Sequence, residues 1–243
     1  MAKTILITGG STGIGAATSK ELAEGNTILI HYNSSKRPAE EVATAVENAG
    51  GSAHLFQADL TTEAGCRELA EQVGKTVDHL DVLVNNAGGL VKRQEVWELE
   101  WEMMEYIFAL NTFSTMMMTR LMVPLLRKGT QSNIINLTSI AMRTGSPTAT
   151  IYAASKGAID SFTRGAAKAL APDIRVNAIA PGVILTPFHD KYTPDEQLEK
   201  FRQATPVGEF VGPEEIAHTV RYILDSRFLT GSTIDINGGM FMR

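Results

Sequence analysis

Thr4-Ile-Leu-Ile-Thr8 is an unbroken apolar, β-branched run that leads directly into Gly9-Gly-Ser-Thr-Gly13-Ile-Gly15, after which Ala16 to Glu24 reads as helix. A short apolar run without alternation marks a strand covered on both faces. A strand, a glycine turn and a helix in succession give those glycines meaning. They let backbone N–H groups face an anion at a helix N-terminus, where the macrodipole also favours negative charge. An ordinary tight turn would use glycines too, but three in this context favour a bound nucleotide. The spacing is G-x-x-x-G-x-G, not the G-x-G-x-x-G of the commonest dinucleotide folds.

The same alternation continues along the chain. Strands are expected at Thr27–Tyr32, Ala53–Gln57, Asp81–Val84, Asn133–Thr138, Arg175–Ala180 and Ser232–Ile236. Helices are expected at Pro38–Ala49, across Glu98–Leu126 with its register broken at Asn111 and Thr112, and at Pro213–Leu224. Alternating strands and helices build one parallel sheet with helices on both faces, an α/β doubly wound domain. The 243 residues, 44% hydrophobic and 20% charged, suit one such domain across the whole chain. The long irregular stretch from about 186 to 212 holds Pro187, Pro194 and Pro206 and a short helical piece at Asp195–Gln203. Loops of that length in a compact domain are usually functional, so it is expected to be a substrate lid.

Composition narrows the functional classes. A formal charge of −5 gives no electrostatic case for nucleic acid or an acidic membrane. The single cysteine, Cys66, excludes an internal disulfide framework, suits a reducing cytoplasm and reads as a bland thiol. The scattered histidines offer no metal-ligand spacing. The N-terminal apolar run is too short for a signal peptide, and no run approaches transmembrane length. Met116-Met117-Met118 reads as helix core.

Tyr152 and Lys156 lie four apart in an Ala-rich helical stretch, and so leave one face a turn apart. A phenol titrates near pH ~10, and a fixed cation beside it favours phenolate. A useful proton donor near neutrality needs a shift of roughly three units, about 4 kcal/mol. One lysine falls short of that, and an oxidised nicotinamide ring would add a second positive charge. Without such chemistry the pair is a half-buried Tyr and a surface Lys on an amphipathic helix. Ser139 arrives at the carboxyl end of the fifth strand, and Asn85-Asn86-Ala87-Gly88 follows the fourth, where strand order would reverse and ligands bind. The second strand ends in Tyr32-Asn33-Ser34, with Lys36 and Arg37 beyond and no carboxylate to repel a 2′-phosphate, which favours NADP(H) over NAD(H). Asp59 can accept the adenine amino group or cap the helix that starts near Thr62.

Together these motifs, with Pro181-Gly182 and the closing Thr230-to-Gly239 segment, stand in the order and spacing of the short-chain dehydrogenase/reductases, which the chain resembles over nearly its whole length. The resemblance implies a Rossmann domain with a seven-stranded parallel sheet, and an enzyme interconverting a carbonyl and a secondary alcohol. It implies Tyr152 as acid and base, Lys156 as its pKa modulator and ribose ligand, Ser139 as donor to the substrate oxygen, and Asn111 as anchor of a water leading to Lys156. Cofactor contacts are implied for Gly9, Ser11, Thr12, Gly13, Ile14, Gly15, Tyr32, Asn33, Ser34, Asp59, Leu60, Asn86, Ala87, Gly88, Pro181, Gly182, Ile184 and Thr186. Cleft candidates are Gly89-Leu90-Val91, Ile140 to Arg143, Phe188, His189 and Phe201. A homotetramer is also implied, and the extra apolar faces of the helices at Trp101–Leu126 and Ala154–Leu170 suit one. The chain generally resembles the 3-oxoacyl-[carrier protein] reductases, for which Arg127 and Lys128 could greet an acidic carrier, but Ala171-Pro172-Asp173 lacks the expected basic residue. A non-catalytic nucleotide-sensing regulator on the same fold is the reading from another class.

Overall fold

The computed structural model describes residues 2–186 and 194–242. Strands β1 (Thr4–Ile7), β2 (Thr27–Tyr32), β3 (Ser52–Gln57), β4 (Val82–Asn85), β5 (Ser132–Leu137), β6 (Ile174–Pro181) and β7 (Thr233–Ile236) join one sheet in the order β3-β2-β1-β4-β5-β6-β7. All its pairings are parallel. The doubly wound architecture expected of the sequence is therefore observed, with strand boundaries shifted by one residue or so.

Period-two alternation inside apolar runs sorts the core into two layers. Leu6, Leu29, Leu83, Ile134 and Val176 face one way. They pack against α3 (Glu63–Thr76), α5 (Ser114–Leu126) and α7 (Thr150–Leu170) through Leu69, Met118, Met122 and Ala166. Ile5, Ile7, Ile28, Ile30, Val82 and Val84 face the other way. There they meet Leu22 beside α1 (Gly13–Glu21), Val42 and Val46 of α2 (Lys36–Asn48), and Ile216, Val220 and Ile223 of the helix Glu214–Asp225. Cys66 belongs to the first layer, and burial pushes its thiol up to about 11, an inert core residue.

The long helical stretch divides into α4 (Trp101–Phe108), a π-helical segment at Ala109–Phe113, and α5. The break falls at Asn111 and Thr112, where the sequence register fails. A π segment inserts an extra residue into the helix ladder, and such segments favour functional sites. Beyond β5 come α6 (Ala141–Thr144) and α7, and beyond β6 come α8 (Asp195–Ala204) and α9 (Glu214–Asp225). The expected lid residues Pro187, Phe188 and His189 lie outside the described residues.

Candidate functional site

Strand order reverses between β1 and β4, which opens a crevice at their carboxyl ends. The Thr8 hydroxyl bridges it, accepting the Asn86 and Ala87 amides, both at 3.0 Å. The Asn86 side chain returns the contact, its Nδ2 donating to the carbonyls of Thr8 and Gly9 at 2.9 and 3.0 Å. The glycine loop and the turn after β4 are thus one interlocked wall. Gly15 is required by that wall, because a Cβ there would stand 2.2 Å from the Gly9 oxygen.

A cleft of about 430 Å³ runs along these strand ends. Gly9, Ser11, Thr12, Gly13 and Ile14 line it, with Tyr32, Asn33, Asp59 and Leu60 along β2 and β3. Asn86, Ala87, Gly88, Ser139, Tyr152 and Lys156 line its middle, and Pro181, Gly182, Ile184 and Thr186 its opposite wall. Gly15 stands behind the cleft surface, and Ser34 is exposed beyond its edge. Thr12 caps α1 through its backbone, and its side chain makes no bond to the N-terminal amides of α1. Those amides, with Gly9 and Gly13 both at positive φ, form a cradle that fits a dinucleotide's pyrophosphate.

Two expectations about charge meet neighbouring carboxylates in the structure. Lys36 and Arg37 were expected to attract a cofactor phosphate, but they pair with Glu40 and Glu41 one turn along α2, at 3.8 and 3.0 Å. Arg127 was a candidate for meeting an acidic carrier, yet it faces Asp173 at 3.8 Å. Arg127 and Lys128 lie between α5 and β5, at the sheet end where strands begin, opposite the cleft. The site therefore lends the carrier-protein alternative no support. Asp59 accepts both the Thr61 amide and hydroxyl, at 3.0 and 2.7 Å, while Thr62 caps α3 through the Gly65 amide. Asp59 is thus not the helix cap.

The central groups are held from several elements. Lys156 is buried and donates to the Leu137 carbonyl at 2.8 Å, which ties α7 to the end of β5. Asn85 donates to Asn136 at 2.9 Å, and Asn136 to Thr163 at 2.9 Å, a buried polar chain fixing α7 over β4 and β5. The Ser139 hydroxyl bonds the Tyr152 phenol and also accepts the Ala141 amide at 3.2 Å. Lys156 Nζ stands 5.9 Å from the Tyr152 ring centre. Burial pushes the Tyr152 phenol above its ordinary value, and only the Ser139 bond pulls it down. Burial also draws Lys156 down to about 8, so its charge is itself costly to hold. Lys156 is not among the causes that lower the phenol, which accords with the expectation that one lysine falls short of the shift required.

Asn111 donates to the carbonyls of Gly89 and Ile107 at 2.9 and 3.0 Å, and accepts the Gly89 amide at 3.0 Å. Its side chain is thus committed to shaping the turn after Gly88, a task beyond the water-anchoring role expected of it. Gly88 lies close beneath, where a Cβ would approach Asn111 Oδ1 to 2.6 Å and Lys156 Nζ to 3.1 Å. Of the other cleft candidates, Gly89, Leu90, Ile140, Ala141 and Phe201 line the space. Arg143 turns away to Asp160 and Asp235, at 3.5 and 3.4 Å.

Two lining residues escaped the sequence reading. His31 is buried at the end of β2, where its Nδ1 accepts the Gly9 amide at 3.0 Å and its Nε2 faces the Ala58 carbonyl at 3.1 Å. That pattern makes it a neutral ring protonated at Nε2, and burial lowers its pKa accordingly. Arg93 follows a turn in which the Lys92 amide donates to Leu90 at 2.9 Å across Val91 at φ 68°. A γ-turn of this hand is rare and strained, costing a β-branched residue about 1–3 kcal/mol. A lone histidine in an apolar strand and a lone arginine in a loop carry no spacing that could have revealed either place in the cleft.

Residues 9–241 match the family model described as enoyl-(acyl carrier protein) reductase. General stress protein 39 of Bacillus subtilis (strain 168) is 40% identical over 99% of this chain and 85% of its own length. The angucycline C-6 ketoreductase LanV, solved with bound NADP, is 30% identical with a TM-score of 0.92, over 98% of this chain and 95% of that one. The NADH-dependent reductase A1-R′, responsible for alginate metabolism, is 33% identical with a TM-score of 0.90, over 100% of this chain and 98% of that one. With the matched fold, the interlocked glycine loop and the Ser139, Tyr152 and Lys156 grouping, these likenesses place the chain in the short-chain dehydrogenase/reductase family of NAD(P)-dependent oxidoreductases.

Proposed function

We propose that this single-domain enzyme interconverts a small-molecule carbonyl and its secondary alcohol, using NADP(H) in preference to NAD(H), with Tyr152 as the proton donor and acceptor. The observation that carries the reading is the Ser139–Tyr152 hydroxyl pair, set over Lys156 at the middle of the cleft. The nicotinamide cofactor, when bound, supplies or takes the hydride. The protein does the rest. Ser139 and Tyr152 donate to the substrate oxygen, where negative charge develops, and Tyr152 delivers its proton there. Lys156 holds the ribose hydroxyls and stabilises the phenolate left behind. The amides of α1 and the residues of the glycine loop hold the pyrophosphate.

Cofactor choice rests on the end of β2. LanV was solved with NADP and A1-R′ is NADH-dependent, so relatives of equal likeness point both ways. Here Tyr32 and Asn33 line the cleft and offer a phenol and an amide where a carboxylate would repel a 2′-phosphate. A homotetramer of the cytoplasm completes the reading. Trp101, Tyr106 and Phe113 expose 66, 47 and 58% of their surface along α4 and the π segment, an apolar face that a second copy would cover. Among the described residues no helix is long and apolar enough to cross a membrane. The test is consumption of NADPH and of NADH, followed by absorbance, against a panel of aldehydes and ketones. Carbonyl-dependent oxidation supports the reading. Tight cofactor binding with no turnover across the panel would favour a nucleotide sensor instead.

A further inference from the structure

Resting on the reading of Ser139 and Tyr152 as the donor pair, we propose that Arg143 is a positioning residue. From behind the cleft it holds the single helical turn that aims the Ser139 hydroxyl at Tyr152. Ser139 lies just beyond β5, and its surroundings are set by α6, the four residues Ala141–Thr144 that follow. The Ala141 amide at the head of that turn donates to the Ser139 hydroxyl at 3.2 Å. One turn of helix fixes several residues for few hydrogen bonds and does not stand alone. Past it the chain opens into a loop at Gly145, with φ 72°. The anchors of α6 therefore lie outside it. The Ile140 amide donates to the Pro181 carbonyl at 2.9 Å at one end, and Arg143 reaches across to α7 and β7 at the other.

Arg143 Nη2 stands 3.5 Å from Asp160, and its Nε 3.4 Å from Asp235. The guanidinium also lies over the Phe241 ring, 6.0 Å from its centre. The Arg143 side chain is 17% exposed and that of Asp160 only 8%, so the pair interacts more strongly than a surface pair would. Asp160 also accepts the Thr233 hydroxyl at 2.7 Å and Arg164 Nη1 at 2.6 Å. Burial works against its charge, but the contacts with Thr233, Arg164 and Arg143 hold its carboxyl below the ordinary value. Asp160 is thus a fixed anionic anchor, and its place on α7 gives the link its meaning. Tyr152, Lys156 and Asp160 follow at four-residue steps along one face of the helix. Arg143 fastens the turn beside Ser139 to the helix face that carries Tyr152.

Protein carrying tyrosine labelled with carbon-13 at Cζ reports the hydrogen bonding of each phenol without substrate, and Tyr152→Phe assigns the Tyr152 resonance. Arg143→Met should move that resonance in the same direction as Ser139→Ala, and should add nothing in the Ser139→Ala background. The second readout is kcat with NADPH and whichever of 4-nitrobenzaldehyde, cyclohexanone and ethyl acetoacetate is turned over fastest. Arg143→Met should lower it about ten- to a hundredfold in wild type but less than about threefold in the Ser139→Ala background. The Kd for NADPH should stay within about threefold, and Arg143→Lys should restore part of the rate. If Arg143→Met does not fold, Asp160→Asn serves for both readouts, since it removes the charge of the anchor and keeps an acceptor for Thr233. Arg164→Met, which removes the more exposed partner of Asp160, should leave resonance and kcat near wild type. An unmoved Tyr152 resonance, additive losses, or an equal loss in Arg164→Met overturns the proposal. Additive losses beside a large Ser139→Ala effect would sink it while leaving the donor-pair reading intact. An unimpaired Ser139→Ala would sink that reading instead, and the resonance would still decide whether Arg143 holds Ser139.

Discussion

Asn111 and Gly89 exchange hydrogen bonds in both directions, Nδ2 to the carbonyl at 2.9 Å and the amide to Oδ1 at 3.0 Å. This amide-to-backbone clamp joins the π segment to the turn that follows Gly88. The π segment is in turn fastened to α7 by Thr112, whose hydroxyl donates to the Ser155 carbonyl at 3.0 Å. The cofactor wall, the substrate wall and the Tyr152 helix therefore meet at two neighbouring side chains, Asn111 and Thr112. An Asn in a helix interior is unfavourable by propensity, and its partners offset the cost.

Replacing Asn111 with Leu keeps the volume and removes the clamp, leaving the Gly89 groups unpaired. A loss of about 1–3 kcal/mol in urea unfolding is expected. Turnover should fall at least tenfold, because the clamp holds the turn after Gly88, which packs close to Lys156. Unchanged stability and rate in the variant would show that the clamp is incidental.

His31 is expected to make cofactor binding depend on pH. Its neutral Nδ1 accepts the Gly9 amide, and protonation would replace that acceptor with a donor facing a donor. Burial lowers its pKa, against the opposing pull of the Ala58 carbonyl and Asp59. A depressed base contributes its stabilisation above the ordinary value of 6.5 and loses it as pH falls through the lower folded value. Cofactor affinity in wild type should therefore hold at pH 6.5 and weaken only as pH falls through the lower folded value, beyond whatever change His31→Gln shows. Titration by intrinsic fluorescence from pH 8 to 5 checks this, and parallel curves for the two proteins would exclude His31.

Cofactor preference should appear as an NADPH-to-NADH ratio in kcat/KM of about ten to a thousand, roughly 1.4–4 kcal/mol. Lys36 and Arg37, paired along α2, add little to it. Tyr32→Asp should abolish or reverse the ratio by setting a carboxylate against the 2′-phosphate. Equal or better wild-type efficiency with NADH would refute the reading of the strand end.

Much of this was legible because buried parallel strands announce themselves as β-branched runs, and because glycines betray close backbone approach. Thr4–Ile7 and Thr27–Tyr32 were readable for the first reason, and Gly9, Gly13 and Gly15 for the second. Charge was harder. Whether Lys36, Arg37 and Arg127 face a ligand or a neighbouring carboxylate depends on side-chain reach across turns, which spacing leaves open. The same holds for Tyr152. The four-residue spacing put Lys156 near it, yet burial raises the phenol, and one N–H of Lys156 goes to the Leu137 carbonyl. His31 and Arg93 are single residues whose places in the cleft exist only once the chain has folded.

The most direct test of the account is the Tyr152→Phe variant, which keeps the ring and its packing and removes only the transferred proton. Single-turnover reduction of a carbonyl substrate should slow by at least about a thousandfold, while the Kd for NADPH stays within about threefold of wild type. Lys156→Met should instead weaken cofactor binding as well as slow the step. If Tyr152→Phe retained most of its single-turnover rate, the proton would come from another group and the assignment of Tyr152 would be wrong.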